Sequence, residues 1–166
     1  MKVKSWLMML AAMSGVIEAS TLELGAPLPD VTVPDQNGDL ISLKSYQEDS
    51  YVLVYFYPRA DTPGCTKQAC SLRDAYEPLQ KQGVRIFGVS KDQIQSQQKF
   101  AEKYDLPFTL LADTEGKVIE AFGVPALGPF AQRQAYLFKS GVLVWRDLKA
   151  STDKQASDIL DFLNKG

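Results

Sequence analysis

The sequence predicts an α/β domain in which a parallel or mixed β-sheet is flanked by helices. Three stretches of apolar, β-branched and aromatic residues look like strands buried on both faces: YVLVYFY at 51–57, VRIFGVS at 84–90 and FTLLAD at 108–113. Segments of helical character lie between them along the chain. This alternation of strand and helix is typical of βαβ units and predicts the fold class.

The chain opens with a segment that has the order of a bacterial secretory signal. Lysines precede the apolar run WLMMLAAMSGVI at 6–17, and the small residue Ala19 follows it. The run is shorter than the ~20 residues that a membrane span needs. We expect residues 1–19 to be a signal peptide and residues 20–166 to be the mature domain.

Cleavage of this signal would place the protein in the periplasm or otherwise outside the cytoplasm, where disulfides form readily. After cleavage, no stable membrane insertion is expected. The alternatives are a short uncleaved anchor and a helix docked on the surface, and without a signal the protein would be cytoplasmic.

The remaining elements are predicted from turn residues and helical spacing. Asn37-Gly38, in GAPLPDVTVPDQNGDLISL, predicts a two-residue turn in a β-hairpin at the start of the mature domain. Ser140-Gly141 predicts a second hairpin in RQAYLFKSGVLVWRDL. Three further helices are expected: IQSQQKFAEKYD at 94–105, KVIEAF at 117–122 and the closing TDKQASDILDFL, capped by Thr152.

The composition excludes several classes of function. The chain has 166 residues, 45% of them hydrophobic and 23% charged, which fits one globular domain. A formal net charge of −2 gives no electrostatic reason to expect nucleic acid or an anionic membrane as partner. The chain contains no histidine, so a Cys-His pair, a Ser-His-Asp triad and a His-ligated metal are all excluded. Two thiols alone fall short of a structural zinc site, and no metal is expected.

The only two cysteines lie five residues apart in DTPGCTKQAC. Thr62 and Pro63 indicate the start of a helix, because a threonine hydroxyl can cap an orphan N–H and proline fits the first turn. Cys65 would then lie in the first turn, where free N–H groups and the positive end of the helix dipole favour the thiolate. The pKa of a cysteine in such a position falls below the ~8.5 of an unperturbed thiol. Gly64 leaves room for a small molecule to approach.

Cys70 poses a geometric problem. The apolar residues that follow Cys65 fall on one helical face, and Pro78 is expected to kink or shorten the helix. On an intact helix, residues five apart have Cα atoms roughly 8 to 9 Å apart. This exceeds the ~7 Å limit for a disulfide, so the helix must unwind locally if the two thiols are to bond.

At these residues the sequence resembles a known family. PRADTPGC, which is Pro58-x-x-x-Thr62-x-x-Cys65, matches the peroxiredoxin active-site pattern. GCTKQACSLRDAYEPL is similar to the peroxiredoxin Q group, also called bacterioferritin comigratory proteins, and the resemblance runs from about Leu24 to Phe162. It implies a thioredoxin-like fold with a central mixed sheet, and an antioxidant enzyme that reduces hydrogen peroxide and organic hydroperoxides without metal or bound cofactor.

The resemblance also implies roles for particular residues. Cys65 would be the peroxidatic nucleophile and become a sulfenic acid, while Thr62 would hydrogen-bond the thiolate and the substrate oxygen. Pro58 would shield the pocket from water, and Arg133, in the pattern R-x-x-(aromatic)-L, would be the catalytic arginine. Cys70 would resolve the sulfenic acid into an intramolecular disulfide, which thioredoxin or a periplasmic dithiol would reduce. Because resolution within one chain needs no partner subunit, we expect a monomer.

One region departs from the family pattern. FGVPALGPFAQR is shorter than expected around residues 124–132 and lacks the usual Lys/Tyr/Gly-rich stretch, in a loop that borders the pocket in the family.

The residues leave two other functions open. A protein thiol–disulfide oxidoreductase would be expected to carry C-x-x-C, and a non-enzymatic, disulfide-stapled binding module would alkylate slowly and consume no peroxide.

Overall fold

A five-stranded mixed β-sheet organises the chain in the computed structural model, which describes residues 20–166. The predicted signal peptide, residues 1–19, lies outside the described residues. The strands are β1 (Thr32–Pro34), β2 (Leu40–Ser42), β3 (Tyr51–Phe56), β4 (Val84–Ser90), β5 (Thr109–Ala112), β6 (Ala126–Leu127), β7 (Phe130–Ala131), β8 (Gln134–Lys139) and β9 (Val142–Asp147). The helices are α1 (Pro63–Asp74), α2 (Tyr76–Lys81), α3 (Ile94–Lys103), α4 (Lys117–Phe122) and α5 (Gln155–Lys165), with a 3₁₀ helix at Leu43–Tyr46.

The strand order confirms the predicted mixed sheet. The central sheet runs β5-β4-β3-β8-β9, with β1-β2 and β6-β7 as separate two-stranded sheets. β3 pairs in parallel with β4, and β4 with β5, whereas β8 pairs antiparallel with both β3 and β9. The parallel strands are connected through α1, α2 and α3, as the βαβ pattern predicts.

Both faces of the sheet are covered, and β3 lies at its centre. Because successive side chains of a strand point to opposite faces, Leu53 and Tyr55 pack on one side and Val52 and Val54 on the other. The first side is covered by α1, α2, α3 and α5, and the second by α4 and the β1-β2 hairpin. All four of these side chains are fully buried, as the apolar run predicts.

The two predicted hairpins are present, and one has a longer turn than expected. The carboxylate of Asp35 accepts hydrogen bonds from the backbone N–H groups of Asn37 (2.8 Å) and Asp39 (3.0 Å), which opens a wider turn between β1 and β2. Between β8 and β9, Ser140 and Gly141 have φ values of 47° and 77°, as a two-residue hairpin turn requires.

The helix ends agree with the sequence at α1 and differ at α5. α1 begins at Pro63 and ends at Asp74, and Pro78 lies in the first turn of the separate helix α2. The prediction that Pro78 shortens the first helix is therefore confirmed. Thr152 was expected to cap the closing helix, but α5 begins only at Gln155.

The turn before α5 is formed by Ser151 and not by Thr152. The hydroxyl oxygen of Ser151 accepts the backbone N–H groups of Asp153 and Lys154, each at 3.3 Å, and organises the turn that precedes the helix. Among residues 20–166, no helix is both long and apolar enough to cross a membrane.

Candidate active site

The predicted site forms where β3 ends and the chain turns into α1. The backbone N–H of Tyr57 donates to the Val89 carbonyl (3.1 Å), which extends the β3-β4 pairing to the last buried residue before Pro58. The loop from Pro58 to Thr62 then crosses the edge of the sheet, and Pro63 begins the helix.

Cys65 lies in the first turn of α1, as predicted, and only 2% of its surface is exposed. Its side chain belongs to the core cluster that also holds Ala69 and Leu72. The first hydrogen bond of the helix runs from the Thr66 N–H to the Thr62 carbonyl (2.8 Å), so the N–H groups of Gly64 and Cys65 precede the helical ladder. These N–H groups lie where a helix favours negative charge.

Arg133 is brought directly to this sulfur. It precedes β8, and its carbonyl accepts the N–H of Ala150 (3.1 Å). Its Nη2 lies 3.6 Å from the Sγ of Cys65. A Cβ on Gly64 would lie 3.1 Å from this Nη2, so the missing side chain at Gly64 gives the guanidinium the room to reach Cys65. The guanidinium therefore places a permanent positive charge beside the sulfur.

A pair of buried glutamines, which the sequence analysis did not identify, contacts Arg133 on the side of the guanidinium away from Cys65. The Nη1 of Arg133 donates to the Oε1 of Gln68 (2.5 Å), and the Nε2 of Gln68 donates to the Oε1 of Gln155 (2.8 Å). Both glutamine side chains are fully buried. The sequence carries one signal for this contact. Gln68 lies three residues after Cys65 and four before Leu72, which places a polar side chain on the apolar face of α1. A polar side chain buried on such a face is expected to have a hydrogen-bond partner.

Thr62 occupies the N-cap position, but its side chain does not cap the helix. Its hydroxyl donates to the carbonyl of Arg59 (2.8 Å) instead of accepting a helix N–H, and the predicted side-chain cap is wrong. The hydroxyl has a single proton, which is used in this bond. Its oxygen can still accept a hydrogen bond from a molecule that reaches Cys65.

The loop between Pro58 and Thr62 is held by two aspartates that the sequence analysis did not identify. The backbone N–H of Ala60 donates to the Oδ2 of Asp92 (2.8 Å). Asp61 has a φ of 56°, and its carboxylate accepts the Tyr104 hydroxyl (2.7 Å) and the Lys103 ammonium (2.9 Å). The hydrogen bond from Tyr104, followed by that from Lys103, lowers the pKa of Asp61 below its ordinary value.

Two tyrosines lie beneath the site and are neutral. The hydroxyl of Tyr57 donates to the Oε1 of Gln97 (2.5 Å), and the Nε2 of Gln97 donates to the hydroxyl of Ser90 (2.9 Å). Burial raises the pKa of Tyr57 and of Tyr55 well above the ordinary value of a tyrosine. Neither can therefore serve as a base at neutral pH.

Pro58 is half-buried and borders a shallow pocket that also includes Pro129 and Phe130. The last two belong to the turn and second strand of the β6-β7 hairpin, which is formed by the region that departs from the family pattern. The loop thus contacts a pocket beside Pro58, and neither Cys65 nor Arg133 lines that pocket. Leu127 at its tip is 84% exposed.

Cys70 lies on a different side of α1 from Cys65. It is half-buried and borders a surface groove between α1 and α5 with Ala156 and Leu160. Both cysteines are free thiols, and the helix that carries them is uninterrupted from Pro63 to Asp74. A disulfide between them therefore requires local unwinding of α1.

The described part of the chain offers no metal centre. Among residues 20–166, the structure brings together no group of three or more His, Cys, Asp or Glu side chains that could hold a metal ion.

Comparison with known proteins places this geometry in a family. The family model described as AhpC/TSA family matches residues 24–146. Peroxiredoxin Q, chloroplastic, from Oryza sativa subsp. japonica is 46% identical over 122 residues, which cover 72% of this chain and 56% of the rice protein. The chain thus spans little more than half the length of this curated relative.

Solved structures share the fold. The crystal structure of peroxidoxin BcpB from Mycobacterium tuberculosis matches with a TM-score of 0.80 and 31% identity, covering 87% of this chain and 97% of that one. The bacterioferritin comigratory protein of Xanthomonas campestris, described for its alkyl peroxide reduction activity, matches with a TM-score of 0.78 and 25% identity, covering 87% and 96%. These matches confirm the expected thioredoxin-like fold.

Proposed function

Because this chain belongs to the AhpC/TSA family, in its peroxiredoxin Q group, we propose that it is a thiol peroxidase acting on hydrogen peroxide and organic hydroperoxides. The observation that carries the proposal is the position of Cys65. Its sulfur lies in the first turn of α1, with the Nη2 of Arg133 at 3.6 Å. This arrangement supplies positive charge to a nucleophilic thiolate without histidine or metal.

In the first step, the Cys65 thiolate attacks the terminal oxygen of the hydroperoxide. The sulfur lone pair forms an S–O bond while the O–O bond breaks, so the cysteine becomes a sulfenic acid and the leaving alkoxide or hydroxide takes a proton from water. The Arg133 guanidinium and the N–H groups of Gly64 and Cys65 can stabilise the negative charge on the oxygens as it shifts. The Thr62 oxygen can accept the hydroperoxide O–H, because its own proton is donated to Arg59.

In the second step, the Cys70 thiol attacks the sulfenic sulfur. An S–S bond forms, the S–O bond breaks and water leaves, which conserves the two-electron oxidation as a disulfide. The intact α1 keeps the two side chains on different sides of the helix, so unwinding between them is part of this step. A thioredoxin-like dithiol then reduces the disulfide by exchange. Cys65 and Cys70 lie within one chain, which supports a monomer.

Peroxide turnover by matched variants tests the proposal. Wild type, Cys65→Ser and Cys70→Ser are compared with hydrogen peroxide and with an alkyl hydroperoxide, using a thioredoxin system as reductant. Cys65→Ser is expected to consume no peroxide, and Cys70→Ser to react once and then stall or overoxidise unless a small thiol is added. Ser71→Ala, a conservative change next to Cys70 on α1, is the control and retains wild-type turnover.

Equal turnover by all four proteins would contradict the peroxidase proposal. Electron transfer to protein disulfides without peroxide consumption would identify a thiol–disulfide oxidoreductase. Slow alkylation at neutral pH with no consumption would identify a binding module.

The proposal extends to location. The lysines and the apolar run of residues 1–19 support export, with residues 20–166 as the mature domain. Mass spectrometry of the protein recovered from the periplasmic fraction of an expressing bacterium tests this, and a full-length mass in the cytoplasm would refute it.

A further inference from the structure

The hydrogen bonds behind Arg133 have a direction that the guanidinium imposes. A guanidinium only donates, so Gln68 must present its oxygen to Arg133 and turn its Nε2 away. That Nε2 donates to the Oε1 of Gln155 at 2.8 Å. The amide of Gln68 is therefore fixed at both ends, by a donor on one side and an acceptor on the other.

Gln155 lies on α5, a helix that carries none of the predicted catalytic residues. Its side chain is fully buried, and within residues 20–166 its Nε2 has no hydrogen-bond partner. A buried amide N–H without a partner is destabilising, and an apolar side chain of the same size would avoid this cost. In the described part of the chain, the one hydrogen bond of the Gln155 side-chain amide is the bond that its Oε1 accepts from Gln68.

We infer that Gln155 is a positioning residue, which fixes the Gln68 amide in the orientation that holds Arg133 against Cys65. The inference rests on the proposed function, because it concerns the reactivity of the same sulfur. Without the acceptor, the Gln68 Nε2 is buried without a partner, and only the bond from Arg133 still opposes a rotation of the amide that would turn its NH₂ group toward the guanidinium. In the rotated amide two donors face each other, and Arg133 moves away from Cys65.

The test is a double-mutant cycle in the Cys70→Ser background, where Cys65 is the only thiol. Gln155→Leu, Gln68→Leu and the double variant are compared by the rate of alkylation with iodoacetamide across pH and by the rate of a single turnover with hydrogen peroxide. Gln155→Leu is expected to lower both rates at neutral pH by about tenfold, and the double variant to be no slower than Gln68→Leu alone. Ile159→Val, which removes a methylene from the buried face of the same helix, is the control and leaves both rates unchanged.

A conservative variant separates positioning from general damage. Gln155→Glu keeps the acceptor oxygen and removes the unpaired N–H, so it is expected to alkylate within about threefold of wild type. Three results would overturn the inference. They are equal losses of alkylation rate in Gln155→Leu and Gln155→Glu, additive effects of Gln68→Leu and Gln155→Leu, and a wild-type alkylation rate in Gln155→Leu. If no variant, including wild type, consumes peroxide, the proposed function fails, while the alkylation cycle still decides the role of Gln155.

Discussion

Gly64→Ala separates the reactivity of the site from the stability of the fold. Gly64 lies in the first turn of α1. Within a helix, alanine is more favourable than glycine by up to about 1 kcal/mol, so the substitution is not expected to destabilise α1. The new methyl group would lie 3.1 Å from the Nη2 of Arg133 and 3.5 Å from the Cγ2 of Thr152. The guanidinium must therefore move by a few tenths of an ångström, while the helix itself is unstrained.

The size of the effect follows from Coulomb's law. At the observed 3.6 Å, a guanidinium and a thiolate attract by about 4.6 kcal/mol at an effective dielectric constant of ~20. At about 4.1 Å the attraction is about 4.0 kcal/mol, and the loss of roughly 0.6 kcal/mol corresponds to an about threefold slower alkylation of Cys65 at neutral pH. A less well-placed donor also stabilises the peroxide oxygens less, so the peroxide rate is expected to fall further than the alkylation rate.

The assay combines three measurements on Gly64→Ala: urea unfolding, iodoacetamide alkylation of Cys65 in the Cys70→Ser background, and stopped-flow reaction with hydrogen peroxide. Stability is expected to equal or exceed that of wild type, while both rates fall. In the Arg133→Ala background the same substitution is expected to change neither rate, because no guanidinium is left to displace. An equal rate loss with and without Arg133 would refute the reasoning.

Two further predictions concern the scaffold. The folded pKa of Asp61 lies below its unfolded value of about 3.8, so its contribution to stability is present above that pH and is lost as the pH falls through the folded pKa. Urea unfolding of wild type and Asp61→Asn is expected to show a stability difference at neutral pH that shrinks below about pH 4; a difference independent of pH would contradict the role of the carboxylate. Leu53→Ala, at the fully buried centre of β3, is expected to cost about 2–5 kcal/mol in the free energy of unfolding, against less than about 0.5 kcal/mol for the exposed Leu40→Ala. Similar costs at both positions would refute the assignment of the core.

The sequence predicted those parts of the molecule that depend on local pattern. The apolar runs identified β3, β4 and β5, and Thr62 and Pro63 located the start of α1, because burial on both faces and the first helical turn restrict residue type strongly. The start of α5 was misjudged at Thr152. There, several polar residues compete for the same turn, and Ser151 forms it.

The contacts that complete the site were not predictable in the same way. Gln68 and Gln155 are far apart in the sequence, and only the packing of α1 against α5 brings their amides together. Asp92 reaches the loop before α1 from the end of β4 for the same reason. The Thr62 hydroxyl could have bonded either a helix N–H or the upstream carbonyl, and loop geometry selects the carbonyl.

The rate of Cys65 alkylation at neutral pH, compared between the Cys70→Ser protein and the same protein carrying Arg133→Gln, tests the central claim most directly. If the guanidinium 3.6 Å from the sulfur activates Cys65, Arg133→Gln is expected to alkylate several-fold more slowly and to react with hydrogen peroxide more slowly still. Equal rates in the two proteins, with both reagents, would contradict the account.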